Sequence, residues 1–324
     1  MTAVAFDYTA PTTLDAALRA LHAPGRSVAP LAGGQSLVPL LTRREVRPDA
    51  VVDLNGVPGL AGVDIGPDRV RVGAMTRLRD LERHGGLAAA LPVLVSAAAL
   101  VAHPHIRTRA TLGGSLCHAA PAAELPAVAV ALGADVVLRS VRGVRSIPAA
   151  GFATGPGTTV RAPDEVVTEV VFPRTGGLAH EFSELCTRGG TGYPVAGVCL
   201  GLRVGGGLIR EACVVVSGCG PLPVRLPGVE AALVGRAVAG PHPGLVAAVV
   251  AETAQAPGRG RESGRGPEAG GGPGPGPEAG PGHVPEPALE DVEAALVGRA
   301  VAGPHPGLVA AVVAETAQAP GRGR

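Results

Sequence analysis

Leu31-Ala32-Gly33-Gly34-Gln35-Ser36-Leu37 and, farther along, Thr111-Leu112-Gly113-Gly114-Ser115 are the stretches on which the fold turns. Each sets two adjacent glycines ahead of a hydroxyl-bearing residue, with a glutamine intervening in the first. Paired glycines let the backbone take φ > 0 and leave no Cβ to obstruct a ligand. Successive N–H groups in such a turn form an anion-binding concavity. Two such turns in one domain predict a diphosphate gripped from two sides. That points to a dinucleotide cofactor rather than a lone phosphate.

Outward from these turns, the flanking patterns read as alternating helices and strands. Thr12-Thr13-Leu14-Asp15 marks a helix start, and Leu14, Ala17, Leu18 and Leu21 follow at helical spacing. A strand over 27–32 runs straight into the first glycine pair, and Val51-Val52-Asp53-Leu54 reads as another. Val70-Arg71-Val72 alternates as a half-buried strand does. Thr76 is placed to cap a short helix through Leu78 and Leu81. Residues 87–101 form a second, buried helix, ended by His103-Pro104-His105, a loop that leads into the second pair. A helix over 122–132 and strands at 135–138 and 165–171 complete an α+β domain over 1–175. A second domain of sheet plus helices follows over 178–256. There the apolar run 195–202, the Gly205-Gly206-Gly207 turn and 208–217 make a hairpin. Short helices at 230–234 and 245–255 follow it.

Composition narrows the chemistry by exclusion. The 324 residues are 46% hydrophobic, enough for a sizeable core, and the net charge of +1 argues against a nucleic-acid surface. All 28 Lys-plus-Arg positions are arginine, so neither a Walker-type phosphate loop nor a lysine Schiff base is possible. Five cysteines without a C-x-x-C pair read as small buried residues in a reducing compartment, not as a metal site. His103 and His105 read as loop hydrogen-bonding residues. No G-x-G-x-x-G follows a strand and opens a helix, which disfavours a Rossmann site. The N-terminus lacks a basic, apolar leader, and Pro92 breaks the one long apolar stretch. The reading is therefore a cytoplasmic protein with no integral membrane segment.

The tail is unusual. Val229–Arg261 and Val292–Arg324 are identical letter for letter, and the Pro/Gly-rich linker over 257–291 between them reads as disordered. Two separated copies do not make a solenoid. They read as a recent duplication or a sequence-assembly fault, in which one copy packs and the other, 292–324, stays loose.

Taken together, the motifs resemble those of the FAD-carrying medium subunits of the molybdenum hydroxylases, the family of xanthine dehydrogenase and aerobic carbon monoxide dehydrogenase. Leu31–Leu37 followed by Pro39 resembles the first flavin motif. Ile106-Arg107, Thr111–Ser115 and Pro121-Ala122-Ala123-Glu124-Leu125-Pro126 resemble the second. Arg47-Pro48-Asp49, Val52-Asp53-Leu54 and Val72-Gly73-Ala74-Met75-Thr76 fit between them. The resemblance covers about residues 4–256. Two departures stand out: Thr108-Arg109-Ala110 replaces the usual Asn-Arg-Gly, and Ala119-Ala120-Pro121 replaces Ala-Asp-Pro. The charged helix that closes the C-terminal domain in the family is replaced by the linker and repeat.

The resemblance implies a PCMH-type FAD-binding domain, a small α/β subdomain plus a larger mixed-sheet subdomain, followed by a smaller C-terminal domain. It implies that Ala32, Gly33, Gly34, Gln35 and Ser36, with Thr111, Leu112, Gly113, Gly114 and Ser115, hold the diphosphate of non-covalent FAD. Glu124 would meet sugar or ribityl hydroxyls, and Tyr193 would lie against the isoalloxazine. It further implies an oxidoreductase whose partners carry the remaining cofactors: a small [2Fe–2S] subunit and a large molybdopterin subunit, in a dimer of heterotrimers. FAD would relay electrons to an external acceptor. This chain has no acid–base pair or nucleophile of its own, and the substrate belongs to the large subunit. The alternatives are a stand-alone flavin oxidoreductase of the same fold and a defective, assembly-only subunit.

Overall fold

The computed structural model describes residues 5–174, 178–186 and 194–238. Tyr193, the helix expected at 245–255, the linker and the second repeat copy lie outside the described residues.

The chain first builds a small parallel sheet. Its elements are β1 (Asp7–Thr9), α1 (Leu14–Leu21), β2 (Val28–Leu31), α2 (Leu37–Arg43) and β3 (Ala50–Asp53), with strand order β1-β3-β2. The Thr13 hydroxyl caps α1 by accepting the Ala16 N–H at 3.2 Å. Ala17, Leu18 and Leu21 line one face of α1, as their spacing predicts. They pack on Val52 and Leu54 together with Val57 and Leu60.

A larger antiparallel sheet follows, in the order β4-β5-β10-β6-β7. Its strands are β4 (Val63–Ile65), β5 (Arg69–Gly73), β6 (Asp135–Ser140), β7 (Gly143–Pro148) and, after the short hairpin β8 (Ala153–Gly155) and β9 (Thr158–Thr159), β10 (Val166–Pro173). Between β5 and β6 run six helices: α3 (Leu78–Arg83), α4 (Gly85–Ala90), α5 (Pro92–Leu100), α6 (Pro104–Arg107), α7 (Leu112–His118) and α8 (Glu124–Ala131). The central helices α5 and α8 bury Leu94, Ala97, Leu125 and Val128 against Val70, Val136, Leu138 and Phe172 of the sheet.

A third sheet comprises β11 (Ala179–Cys186), β12 (Pro194–Gly205), β13 (Leu208–Ser217) and β14 (Val224–Arg225), and α9 (Pro227–Leu233) follows it. Alternation sorts its side chains onto two buried faces. Phe182, Cys199, Cys213 and Val215 join the core around α8. Val198, Leu200, Leu202, Val214 and Val216 form a separate core with Leu226, Val229 and Leu233 around α9. The hairpin expected from the glycine triplet is present. No helix among the described residues is long and apolar enough to cross a membrane.

Several local expectations are corrected. Thr76 caps nothing: its hydroxyl accepts the Gly62 N–H at 2.9 Å and donates to the Gly62 carbonyl at 3.1 Å, so Arg77 is the residue before α3. The helix expected over 87–101 is two helices, because Pro92 has no N–H to donate and restarts the chain as the first residue of α5. His103-Pro104-His105 is not merely a loop, since Pro104 opens the short helix α6. Strands β1, β4, β7 and β11 carried no sequence signal strong enough to place them. β7 is mostly exposed and lies at the sheet edge, so it lacks the alternation that marks a half-buried strand.

Candidate functional site

The two glycine segments come together in the structure, and they are built differently. The first leaves β2 at Leu31 and enters α2 at Leu37 as a true turn, in which only Gly34 takes a positive φ, +75°. Gly33 is needed for a different reason. A Cβ there would stand 2.1 Å from the Arg109 carbonyl oxygen, inside the backbone that leads to the second segment. The Gln35 side chain donates to the Gly33 carbonyl at 3.2 Å and closes the turn on itself. Among the described residues no acceptor meets the N–H groups of Gly33, Gly34, Gln35 and Ser36.

The second segment is not a turn with φ > 0. Gly113 and Gly114 are the second and third residues of helix α7, and neither has a positive φ. Thr111 caps the helix, its hydroxyl accepting the Gly114 N–H at 3.1 Å. The Leu112 N–H donates to the Thr76 carbonyl at 3.1 Å, Gly113 to Ala74 at 2.8 Å, and Ser115 to Thr111 at 3.0 Å. The amides of Leu112 through Ser115 are therefore consumed internally, and the open concavity belongs to the first segment. The glycines here permit close approach. A Cβ on Gly113 would lie 2.6 Å from that of Ala74, and one on Gly114 would lie 2.8 Å from the Thr111 hydroxyl that caps the helix. Thr111 and Leu112 are buried, while Gly114 and Ser115 reach the partly exposed edge beside Ala32.

Glu124 opens α8 and is buried, 6% exposed. Burial pushes its carboxyl up to about 7, and the nearby Glu184 of β11 adds to the rise. It is thus poised between acceptor and donor near neutral pH. His103 and His105 are exposed and stack on each other with ring centroids 5.7 Å apart. Tyr193 lies outside the described residues.

Sequence reasoning passed over the polar residues behind the first turn. Asp53, at the end of β3, accepts the Tyr8 hydroxyl at 2.6 Å and the Asn55 N–H at 2.8 Å. Burial alone would raise the Asp53 carboxyl, but these bonds outweigh it and hold the group below the usual carboxylate range. The Asn55 amide also donates to the Ala32 carbonyl at 3.0 Å. Arg77 bonds Asn55 and the Arg109 carbonyl. The one available signal was the placement of the chain's only asparagine just after a strand.

Residues 4–175 match the model of the FAD binding domain in molybdopterin dehydrogenase. The chain is 42% identical over 193 residues to the 6-hydroxypseudooxynicotine dehydrogenase complex subunit alpha of Paenarthrobacter nicotinovorans, covering 59% of this chain and 65% of that one. It is 37% identical to the caffeine dehydrogenase subunit beta of a Pseudomonas species, over 74% of this chain and 81% of that one. Among solved structures, a chain of carbon monoxide dehydrogenase from Hydrogenophaga pseudoflava superposes with a TM-score of 0.73 at 32% identity, covering 78% of this chain and 88% of that one.

Proposed function

The chain belongs to the family of FAD binding domains in molybdopterin dehydrogenases, and from that premise we propose that it is the flavoprotein medium subunit of a molybdenum hydroxylase-type complex. The observation that carries this reading is the open row of N–H groups from Gly33 to Ser36, seated against the glycine face of α7. A diphosphate suits that row, since it supplies acceptors to backbone donors that otherwise have none. Thr111, Leu112 and Gly113 serve by shape, because they are buried and hold α7 against the Ala74 strand end. Gly114 leaves room for the Thr111 hydroxyl that caps α7, and the Ser115 hydroxyl makes no hydrogen bond to any described residue. Glu124 offers a carboxyl that can accept from, or donate to, a sugar or ribityl hydroxyl. Tyr193 is assigned to the isoalloxazine by family resemblance alone.

The residues of this chain would hold and orient FAD, which when bound would supply the redox chemistry between the [2Fe–2S] clusters of a small subunit and an external acceptor. The molybdopterin belongs to a large subunit, which also selects the substrate, and the whole is a dimer of heterotrimers.

Purification of the tagged chain tests the reading. Flavin absorbance, with co-purifying iron and molybdenum, is the expected result. Acid precipitation should release the colour into the supernatant, because no covalent link is invoked. A colourless protein, or a yellow acid pellet, would overturn the assignment.

A further inference from the structure

A relay of side chains outside both glycine segments stands behind them. Tyr8 donates to Asp53 at 2.6 Å, and Asp53 accepts both the backbone N–H and the side-chain amide of Asn55. Asn55 works at both ends of its amide. Nδ2 donates to the Ala32 carbonyl as well, at 3.0 Å, while Oδ1 accepts from Arg77 Nη2. The second terminal nitrogen of Arg77, Nη1, donates to the Arg109 carbonyl. The relay therefore runs from β1 through the end of β3 to the start of α3. It ties a carbonyl in the first segment to a carbonyl just ahead of the second.

Both tied carbonyls sit where backbone position matters most. In a trans peptide the C=O and N–H point in opposite directions. Holding the Ala32 carbonyl on Asn55 therefore turns the Gly33 N–H the other way, into the row of N–H groups that no described acceptor meets. Glycine on the far side of that peptide makes it easy to flip, so the bond to Asn55 decides its sense. The Arg109 carbonyl is the atom that a Gly33 Cβ would strike at 2.1 Å, so its position sets the gap between the segments. Charge points the same way. Burial and the neighbouring Arg109 lower the Arg77 guanidinium from its ordinary value although Asp80 and Asp53 act the other way, and a further anion beside the two cations would offset their repulsion.

We propose that Asn55 and Arg77 are positioning residues for the cofactor diphosphate: by holding the Ala32 and Arg109 carbonyls they aim the Gly33 N–H, the first of the open row, at it and fix the spacing of the two segments. This rests on the FAD reading above and adds to it residues that neither glycine segment contains.

The test uses the full chain stripped of flavin, titrated separately with FAD, ADP and riboflavin, with the melting temperature of each apoprotein recorded. Asn55→Ala and Arg77→Ala should each weaken FAD and ADP by about tenfold or more. Riboflavin, which lacks the diphosphate, should change by less than about twofold. The double variant should lose little more than the worse single variant, because both act through one relay. Asn55→Asp keeps an acceptor for Arg77, loses the donor to Ala32 and sets a carboxylate against Asp53, so it should weaken FAD at least as much as Asn55→Ala does. It also supplies the test if the alanine variant fails to fold. FAD and ADP affinities unchanged in the variants, equal losses for riboflavin and ADP, or an additive double variant would overturn the proposal. A parent chain that binds no FAD overturns the FAD reading itself and this proposal with it, which separates the two failures.

Discussion

Gly33 has no room for a side chain, and that fact is independent of its backbone angles. A methyl group there meets the Arg109 carbonyl carbon as well as the oxygen, at 2.8 and 2.1 Å, and neither belongs to a flexible side chain. Gly33→Ala must push the first turn and the approach to α7 apart. The expected cost is about 1–3 kcal/mol or more, as for other overpacked sites. Thermal unfolding of the apoprotein and flavin content of the purified chain should both fall. Gly34→Ala is the informative contrast, because it meets only the Val38 and Leu31 side chains and fails mainly through its φ of +75°. Its cost should be about 1–2 kcal/mol. A Gly33→Ala chain with full flavin and an unchanged melting point would remove the close-approach argument. The glycine pairs themselves were plain in the sequence. That one pair turns while the other lies in a helix was not, since Gly-Gly before a hydroxyl residue is compatible with both.

At the scale of elements, helices with capping residues or clean amphipathic spacing were readable to within a residue, while the apolar helix expected over 122–132 was found as α8 but with bounds the sequence could not place. Thr13 and the Leu14-Ala17-Leu18-Leu21 stripe place α1 within a residue. By contrast, α5 and α8 are apolar all round, so periodicity carries no boundary, and only Pro92 marks where α5 begins. The last described helix shows what holds an element whose sequence signal is weak. Glu230 of α9 accepts the Val214 N–H at 2.9 Å and pairs with Arg225 through both oxygens, at 2.7 and 3.0 Å. Glu230→Ala leaves a buried strand N–H without an acceptor and should cost about 1–3 kcal/mol in denaturant unfolding. Glu230→Gln keeps an acceptor for Val214 and should cost clearly less. Equal losses in the two variants would mean that the ion pair with Arg225, which both variants lose, and not the bond to Val214 holds the helix.

At the scale of the whole molecule, one face of the third sheet completes the core formed by the larger antiparallel sheet and its helices. Phe182 and Val215 close over the same cluster as Leu125 and Phe172. That closure brings Glu184 of β11 toward Glu124 of α8, which is why burial and a like charge raise the Glu124 carboxyl together. The folded state then binds this proton more tightly than the unfolded chain does. The stability it contributes is fully present below about 4.5, the ordinary value, and is lost as pH rises through about 7. Glu124→Gln should flatten the melting temperature across that window and leave the variant more stable than the parent above it. Melting curves with the same pH slope in both chains would show that Glu124 is not the group responsible. By itself, the sequence determined the composition of the cores, the α+β alternation, the hairpin of the third sheet and the two glycine segments with their family. These are properties of neighbours along the chain, where spacing and glycine content act directly. Only the tertiary structure decided that Gly33 faces Arg109, that α7 spends its own amides, that Asn55 and Arg77 join the two segments, and that Glu124 meets Glu184. Apart from the Thr111 cap of α7, each of these relates residues far apart in sequence, brought near by how the sheets and helices close on one another, and no local pattern encodes it.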